Sequence, residues 1–227
     1  MKLKPQPNFN PLARPYRWLE YLTFGPLLHR CRLHFLPQLL QTRRALVLGD
    51  GDGRFLAHLL ARNPHLHADA VDLSAAMLHQ LRQRSATAAP TAATRLNMHH
   101  ADALTFEPTG PYDLVATHFF LDCLTQPQLD QLTSRLAPHL APGALWILSD
   151  FRIPPGPLCL PARALIRLLY LAFRLLTGLR TTHLPNHASA LGCAGLSPVA
   201  RHRSFFGILT SELWQRHPSP PQTHPTD

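Results

Sequence analysis

The stretch ALVLGDGDGRF, residues 45–55, decides the fold of this chain. Its four apolar residues at 45–48 predict a short strand buried on both faces, as in a parallel sheet. The glycines that follow permit a tight turn and let a ligand approach bare backbone; they are Gly49, Gly51 and Gly53. The helix expected over 55–62 would place free N–H groups and a partial positive charge at this turn. The stretch therefore predicts a strand–turn–helix unit suited to a carboxylate or a phosphate.

Strand and helix patterns alternate around this unit. Buried strands are expected at 67–73, 95–100, 112–119 and 144–149, helices at 75–84 and 126–136, a loop at 85–93 and a turn at 142–143. Two final strands, at about 199–205 and 207–214, would pair antiparallel at the sheet edge. Such alternation predicts an α/β protein with right-handed βαβ units and a mostly parallel sheet.

The chain divides into three predicted regions. Residues 1–42 form an N-terminal helical lid segment, with helices starting near Pro15 and Pro26. Residues 43–215 form the main domain, with a helical cap inserted at 156–190. The Pro-rich tail at 216–227 is expected to be disordered.

Composition excludes several classes of protein. The 227 residues are 45% apolar and 15% charged, which argues against a disordered acidic chain. No CxxC pair occurs, so neither a zinc ribbon nor a disulfide scaffold is expected, and we predict no metal site. The N-terminus lacks an apolar leader, so we expect a cytoplasmic protein. The net charge of +9 is diffuse, which disfavours nucleic acid as a partner.

Two carboxylates follow later strands at positions that suit a nucleoside. Asp72 ends the second strand, 19 residues after Gly53, where an acid can accept both ribose hydroxyls. Asp102 follows the third strand and would accept from an adenine amino group, while the Ala103 N–H reaches a ring nitrogen. The alternatives are a helix cap for Asp72 and an ordinary loop residue for Asp102. A dinucleotide site would need its third glycine one residue later.

With these residues the chain resembles the class I S-adenosylmethionine-dependent methyltransferases. The matching segments are residues 45–55, 71–74, 101–104, 112–122 and 140–151. The resemblance implies a Rossmann-like seven-stranded sheet with the last strand antiparallel, helices on both faces and helical lid elements. It also implies S-adenosyl-L-methionine as cofactor, with its methionine part at the three glycines, its ribose on Asp72, and its adenine on Asp102 and against Leu73. The family often has an acid where this chain has Val47, and Asp50 would partly substitute near the cofactor's ammonium.

Residues after the fourth and fifth strands are the candidates for chemistry. His118 is a candidate general base because an unperturbed histidine titrates near neutral pH, and Asp122 is a second catalytic candidate. His118 as a packed or cofactor-contacting residue stays open. Phe119, Phe120 and Asp150 are expected to line the acceptor pocket.

These patterns predict methyl transfer to a small, apolar or aromatic acceptor at O, C or N. The alternatives are a non-catalytic scaffold that keeps the cofactor fold, an RNA methyltransferase, and an NAD(P)-dependent oxidoreductase. The helix expected over 161–180 is basic and amphipathic, so it is either a packed cap or a peripheral membrane contact. Its arginines argue against a transmembrane segment.

Overall fold

A single mixed sheet organises the chain. The computed structural model describes residues 26–177 and 183–217, without the side chains of 172–177. The sheet has seven strands in the order β3-β2-β1-β4-β5-β7-β6. Their bounds are β1 Arg44–Leu48, β2 His67–Asp72, β3 Leu96–His100, β4 Tyr112–His118, β5 Leu140–Phe151, β6 Leu196–Ser204 and β7 Leu209–Arg216. Neighbours among β1 to β5 are parallel, and β7 runs antiparallel to both β5 and β6. The predicted fold class is therefore confirmed.

Helices cover both faces of the sheet. In the described segments they are α1 Leu27–Leu33, α2 Arg54–Arg62, α3 Ala75–Ala88, α4 Gln126–Leu136, α5 Cys159–Thr177 and α6 His187–Cys193. One apolar layer packs α2 and α3 on the sheet, and the other packs α4 and α6 on the opposite face. None of the helices in the described segments is long and apolar enough to cross a bilayer.

The strand after which the glycine turn begins is buried on both sides. Ala45 and Val47 join the layer under α2 and α3, whereas Leu46 and Leu48 join the layer under α4. Because side chains alternate along a strand, four consecutive apolar residues fill two cores at once. This double burial suits the position of β1 in the interior of the sheet, and the glycine turn follows its carboxyl end.

Two local predictions were wrong. The loop expected at 85–93 is the end of α3 followed by a short 3-10 helix, Pro90–Thr94, because Ser85 and Ala92 are buried and hold this small-residue run on the domain. The turn expected at 142–143 lies inside β5, where the pairing with β4 is irregular. A left-handed glycine, Gly143 at φ 75°, allows the strand to continue through this irregularity. The helix expected from Pro15 and most of the tail lie outside the described residues.

Candidate active site

The three glycines after β1 all have left-handed backbones but differ in what surrounds them. A Cβ on Gly53, whose φ is 77°, would lie 2.6 Å from Leu81 Cγ and 2.8 Å from Leu81 Cα, so this glycine allows α3 to pack closely. A Cβ on Gly49 would overlap the ring of Phe120. Among the described residues, a Cβ on Gly51 would meet only Met77 Sδ, at 4.0 Å. Two of the glycines therefore serve packing, and Gly51 leaves room for a ligand.

Asp50, inside the turn, has one carboxylate oxygen without a partner. Its Oδ2 accepts from the Leu56 N–H at 2.9 Å and so caps α2, a task that Gly53 at the cap position cannot perform. Its Oδ1 is buried and has no hydrogen-bond partner among the described residues. Burial raises the pKa of Asp50 to about 7. A buried acceptor that lacks a donor is costly, and a cationic donor placed there would remove the cost.

Asp72 ties the end of β2 to the glycine turn. Its Oδ1 accepts from the Ser74 N–H at 2.8 Å, and the Gly51 backbone also donates to its carboxylate. Burial raises the pKa of Asp72 to about 6, and these two hydrogen bonds limit the rise. A carboxylate has about four lone-pair sites, so the side chain still has capacity to accept from ribose hydroxyls.

Asp102 lies two residues beyond the end of β3. Its Oδ1 accepts from the Leu104 N–H at 2.9 Å, and Ala103 beside it is 8% exposed. Leu73, on the neighbouring segment, is fixed by a 3.0 Å hydrogen bond between its carbonyl and His100 Nε2. Because β3, β2 and β1 are adjacent in the sheet, the structure brings the three predicted acids to one edge.

His118, at the end of β4, is packed into the domain. Its Nδ1 lies 3.0 Å from Ser149 Oγ, its ring centroid lies 4.3 Å from that of Phe55, and it is 3% exposed. Burial, with a contribution from the Arg32 charge, holds the pKa of His118 well below 6.5. The imidazole is therefore neutral at physiological pH and a weak base.

The two phenylalanines after β4 face different neighbours. Phe119 has a left-handed backbone, φ 53°, and its ring centroid lies 5.4 Å from that of Phe151. The guanidinium of Arg32 lies 5.0 Å above the Phe119 ring. Phe120 instead covers Gly49. One ring thus packs in an apolar cluster that includes residues of α1 and α5, and the other covers the glycine turn.

Asp122 and Asp150 form a buried, electrostatically linked pair of carboxyl groups. They are 5% and 2% exposed. Burial raises the pKa of Asp122 to about 6, while burial and the charge of Asp122 raise the pKa of Asp150 well above its ordinary value. Tyr170 of α5 donates from its hydroxyl to the Asp122 carbonyl at 3.1 Å, so the helix covers the pair. Each carboxyl group therefore favours its protonated form more than an exposed aspartate does.

Arg32 is a site residue that sequence reasoning missed. This α1 side chain is 6% exposed, and its charge acts on Asp50 and His118 as well as lying over Phe119. An arginine in a short helix ahead of the first strand gives no pattern that would reveal it, because its role depends on how α1 lies across the sheet. The described residues contain no group of His, Cys, Asp or Glu side chains suited to a metal ion.

The strand order, with β7 antiparallel, and the glycine turn after β1 agree with the resemblance to the class I S-adenosylmethionine-dependent methyltransferases. Residues 46–146 match a family model described as a methyltransferase domain. This part of the chain is a methyltransferase domain.

Solved structures and curated proteins resemble the chain as well. The N-methyltransferase NodS from Bradyrhizobium japonicum, solved with S-adenosylhomocysteine, aligns with TM-score 0.58 and 16% identity over 84% of each chain. An O-methyltransferase family protein from Burkholderia thailandensis aligns with TM-score 0.68 and 19% identity over 95% of this chain and 65% of its own. Polyamine aminopropyltransferase 2 of Bacillus cereus is 27% identical over 140 residues, which is 57% of this chain and 38% of that protein.

Proposed function

We propose that the protein transfers a methyl group from S-adenosylmethionine to a small, apolar or aromatic acceptor. The observation that supports the proposal is that Asp50, Asp72 and Asp102 end or follow three adjacent parallel strands at one edge of the sheet, where Gly51 leaves space. Their arrangement provides an acceptor for an ammonium, one for ribose hydroxyls and one for an adenine amino group.

The residues at this edge fit the cofactor. The unpartnered Asp50 Oδ1 would accept from the ammonium of the methionine part, and the free space at Gly51 would admit its chain. Asp72 would hold the ribose, as in the nucleoside sites of related sheets. Asp102, the Ala103 N–H and Leu73 would contact the adenine.

S-adenosylmethionine supplies a methyl group already activated on a sulfonium sulfur, so the protein's own task is mainly alignment and exclusion of water. Phe119, Phe120 and Asp150 would line the acceptor side, with Phe151 behind Phe119. An aromatic wall with one acid favours a flat or apolar acceptor that carries a single polar group.

Asp122 is the proton acceptor we propose where the acceptor atom must lose a proton. Its pKa of about 6 is close to the operating pH, which suits a general base. His118 is the second candidate, but its ring is buried against Phe55 and its pKa is depressed. We propose that His118 contributes by packing beneath the cofactor and by orienting Ser149.

Isothermal titration with S-adenosylmethionine, followed by transfer of a labelled methyl group to a panel of phenols, quinols and amines, tests this function. Binding with transfer supports it, binding without transfer favours a non-catalytic scaffold, and absence of binding refutes it. Diamines belong in the panel because the curated aminopropyltransferases share sequence with this chain. Salt-sensitive RNA binding with transfer to RNA would instead indicate the RNA methyltransferase alternative.

A further inference from the structure

Exposed apolar side chains concentrate on one helix. Of the six large apolar side chains that the described residues expose, four lie in or just before α5: Leu158, Leu160, Leu168 and Leu171. Leu160 is 74% exposed and Leu168 is 64% exposed. Single exposed leucines are common, but a contiguous group of them marks a contact surface.

The exposed face of α5 combines leucine with arginine. Ala162, Ile166 and Tyr170 form the buried face. At about 100° per residue, the exposed leucines and arginines fall within one arc of about 140° that begins next to Tyr170. They are Leu160, Arg163, Arg167, Leu168 and Leu171. No acid occurs anywhere in the helix sequence.

A strained turn near α5 exposes an aromatic ring. Phe206, in the turn Phe205–Gly207, is 76% exposed and has a left-handed backbone with φ 54°. Phe205 belongs to the same apolar cluster as Leu165 and Leu169 of α5, so the turn lies against the helix. A bulky residue in this conformation is uncommon, and strain of this kind points to a contact that requires it.

Positive charge surrounds the turn. Arg203, exposed on β6, lies three residues before Phe206. Burial, together with the nearby charges of Arg203 and Arg201, lowers the pKa of Arg152. Arginine side chains beside exposed leucine and phenylalanine complement a lipid surface, which has negative headgroups outside and apolar acyl chains beneath.

We infer that the α5 surface, formed by Leu160, Arg163, Arg167, Leu168, Leu171 and Phe206, docks on an anionic lipid bilayer. The leucines and the phenylalanine enter the boundary between headgroups and acyl chains, while the arginines reach lipid phosphates. The buried face of α5 covers Asp122 through Tyr170. Given the proposed function, docking would place the acceptor pocket beneath the helix that contacts the bilayer, which favours an amphiphilic acceptor.

Co-sedimentation with vesicles tests this surface on the full chain. Vesicles of phosphatidylglycerol and phosphatidylcholine are compared with vesicles of phosphatidylcholine alone, at low and high salt. We expect binding to the anionic vesicles, weakened by salt. Leu160→Gln with Leu168→Gln should weaken it roughly tenfold, and Arg163→Gln with Arg167→Gln about fivefold per charge lost.

Matched control variants test whether the effect is specific to the α5 surface or is shared by any exposed apolar or basic side chain. Val199 is also exposed (51%) but lies on β6, and Arg82 is an exposed arginine on α3. Val199→Gln and Arg82→Gln should leave vesicle binding unchanged. Equal losses in the controls, no preference for anionic vesicles, or a dimer in sedimentation that the leucine variant dissociates would each overturn the inference. Titration of the same variants with S-adenosylmethionine tests the proposed function independently. Cofactor binding without vesicle binding would overturn only the docking inference.

Discussion

Alanine substitutions at Gly51 and Gly53 should separate ligand contact from packing. Both residues have left-handed backbones, with φ of 57° and 77°. A left-handed conformation costs an alanine roughly 1–2 kcal/mol. At Gly53 the added methyl group would also press on the Leu81 backbone at 2.8 Å, and overpacking of this kind adds roughly 1–3 kcal/mol. We therefore expect Gly53→Ala to lower the free energy of unfolding by roughly 2–5 kcal/mol, and Gly51→Ala by only roughly 1–2 kcal/mol.

The order reverses for cofactor binding. The Cβ of Gly51→Ala would enter the space that we assign to the methionine part of S-adenosylmethionine, so affinity should fall by about tenfold or more, equivalent to 1.4 kcal/mol. Gly53→Ala points its methyl group away from that space and should bind nearly normally wherever it remains folded.

Urea denaturation without ligand and isothermal titration with S-adenosylmethionine measure the two effects independently. Titration at low temperature keeps the less stable variant folded. Two results would refute the reasoning: a Gly51→Ala variant with unchanged affinity, or a Gly53→Ala variant no less stable than Gly51→Ala. The first result would mean that the cofactor binds elsewhere. The second would mean that α3 can shift to accommodate the added methyl group without loss of stability.

Four further substitutions test the titratable residues. Asp50→Asn should stabilise the free protein at pH 8 by up to about 4 kcal/mol. The reason is that a carboxyl group whose folded pKa is raised to about 7 destabilises the folded state as pH rises. In calorimetry, the variant should also lack the rise in cofactor affinity that we expect for the wild type between pH 6 and 8. Glu212→Gln should cost about 2–3 kcal/mol at pH 7, and its melting temperature should converge on that of the wild type as pH falls toward the folded pKa of about 2. Asp122→Asn should lower kcat roughly 100- to 10,000-fold with cofactor affinity unchanged. His118→Gln should chiefly lower thermal stability. If His118→Gln lowers kcat instead and Asp122→Asn only lowers the melting temperature, His118 is the base.

The low pKa of Glu212 has a clear structural cause. Burial alone would raise it, but hydrogen bonds from His187 and Arg201 lower it to about 2. Arg201 Nε lies 2.8 Å from Oε1, and Trp214 Nε1 donates to Oε2 at 3.0 Å. These contacts join α6 to the centre of β7. The stabilisation is therefore complete above the ordinary pKa of 4.5 and is lost as the carboxylate is protonated.

The sheet, and the position of the acids at its carboxyl edge, were predictable because local patterns determine them. Four consecutive apolar residues, 45–48, predict a strand that is buried on both faces. A polar side chain at the end of a parallel strand lies at the carboxyl edge of the sheet, so the positions of Asp72 and Asp102 could be predicted from the strand ends alone. The loop at 85–93 was not predictable from its small polar residues, because burial of Ser85 and Ala92 decides its structure. The acceptor side of the site was even harder to predict from the sequence. The pairing of Asp122 with Asp150 joins residues 28 positions apart, and only the alignment of β4 with β5 brings them together.

The position of the acid in the glycine turn has a physical consequence for cofactor binding. Val47 occupies the strand position where related domains often have an acid, and it is 1% exposed within the layer under α2. Asp50 supplies a carboxylate from the turn instead, but it must also cap α2 through Leu56. One oxygen thus accepts from the helix, and the other is buried with no donor among the described residues. Burial raises the pKa of Asp50 to about 7. The free protein is therefore stabilised by a proton on the carboxyl group that must be ionised to pair with an ammonium, so cofactor binding should release that proton and strengthen as pH rises.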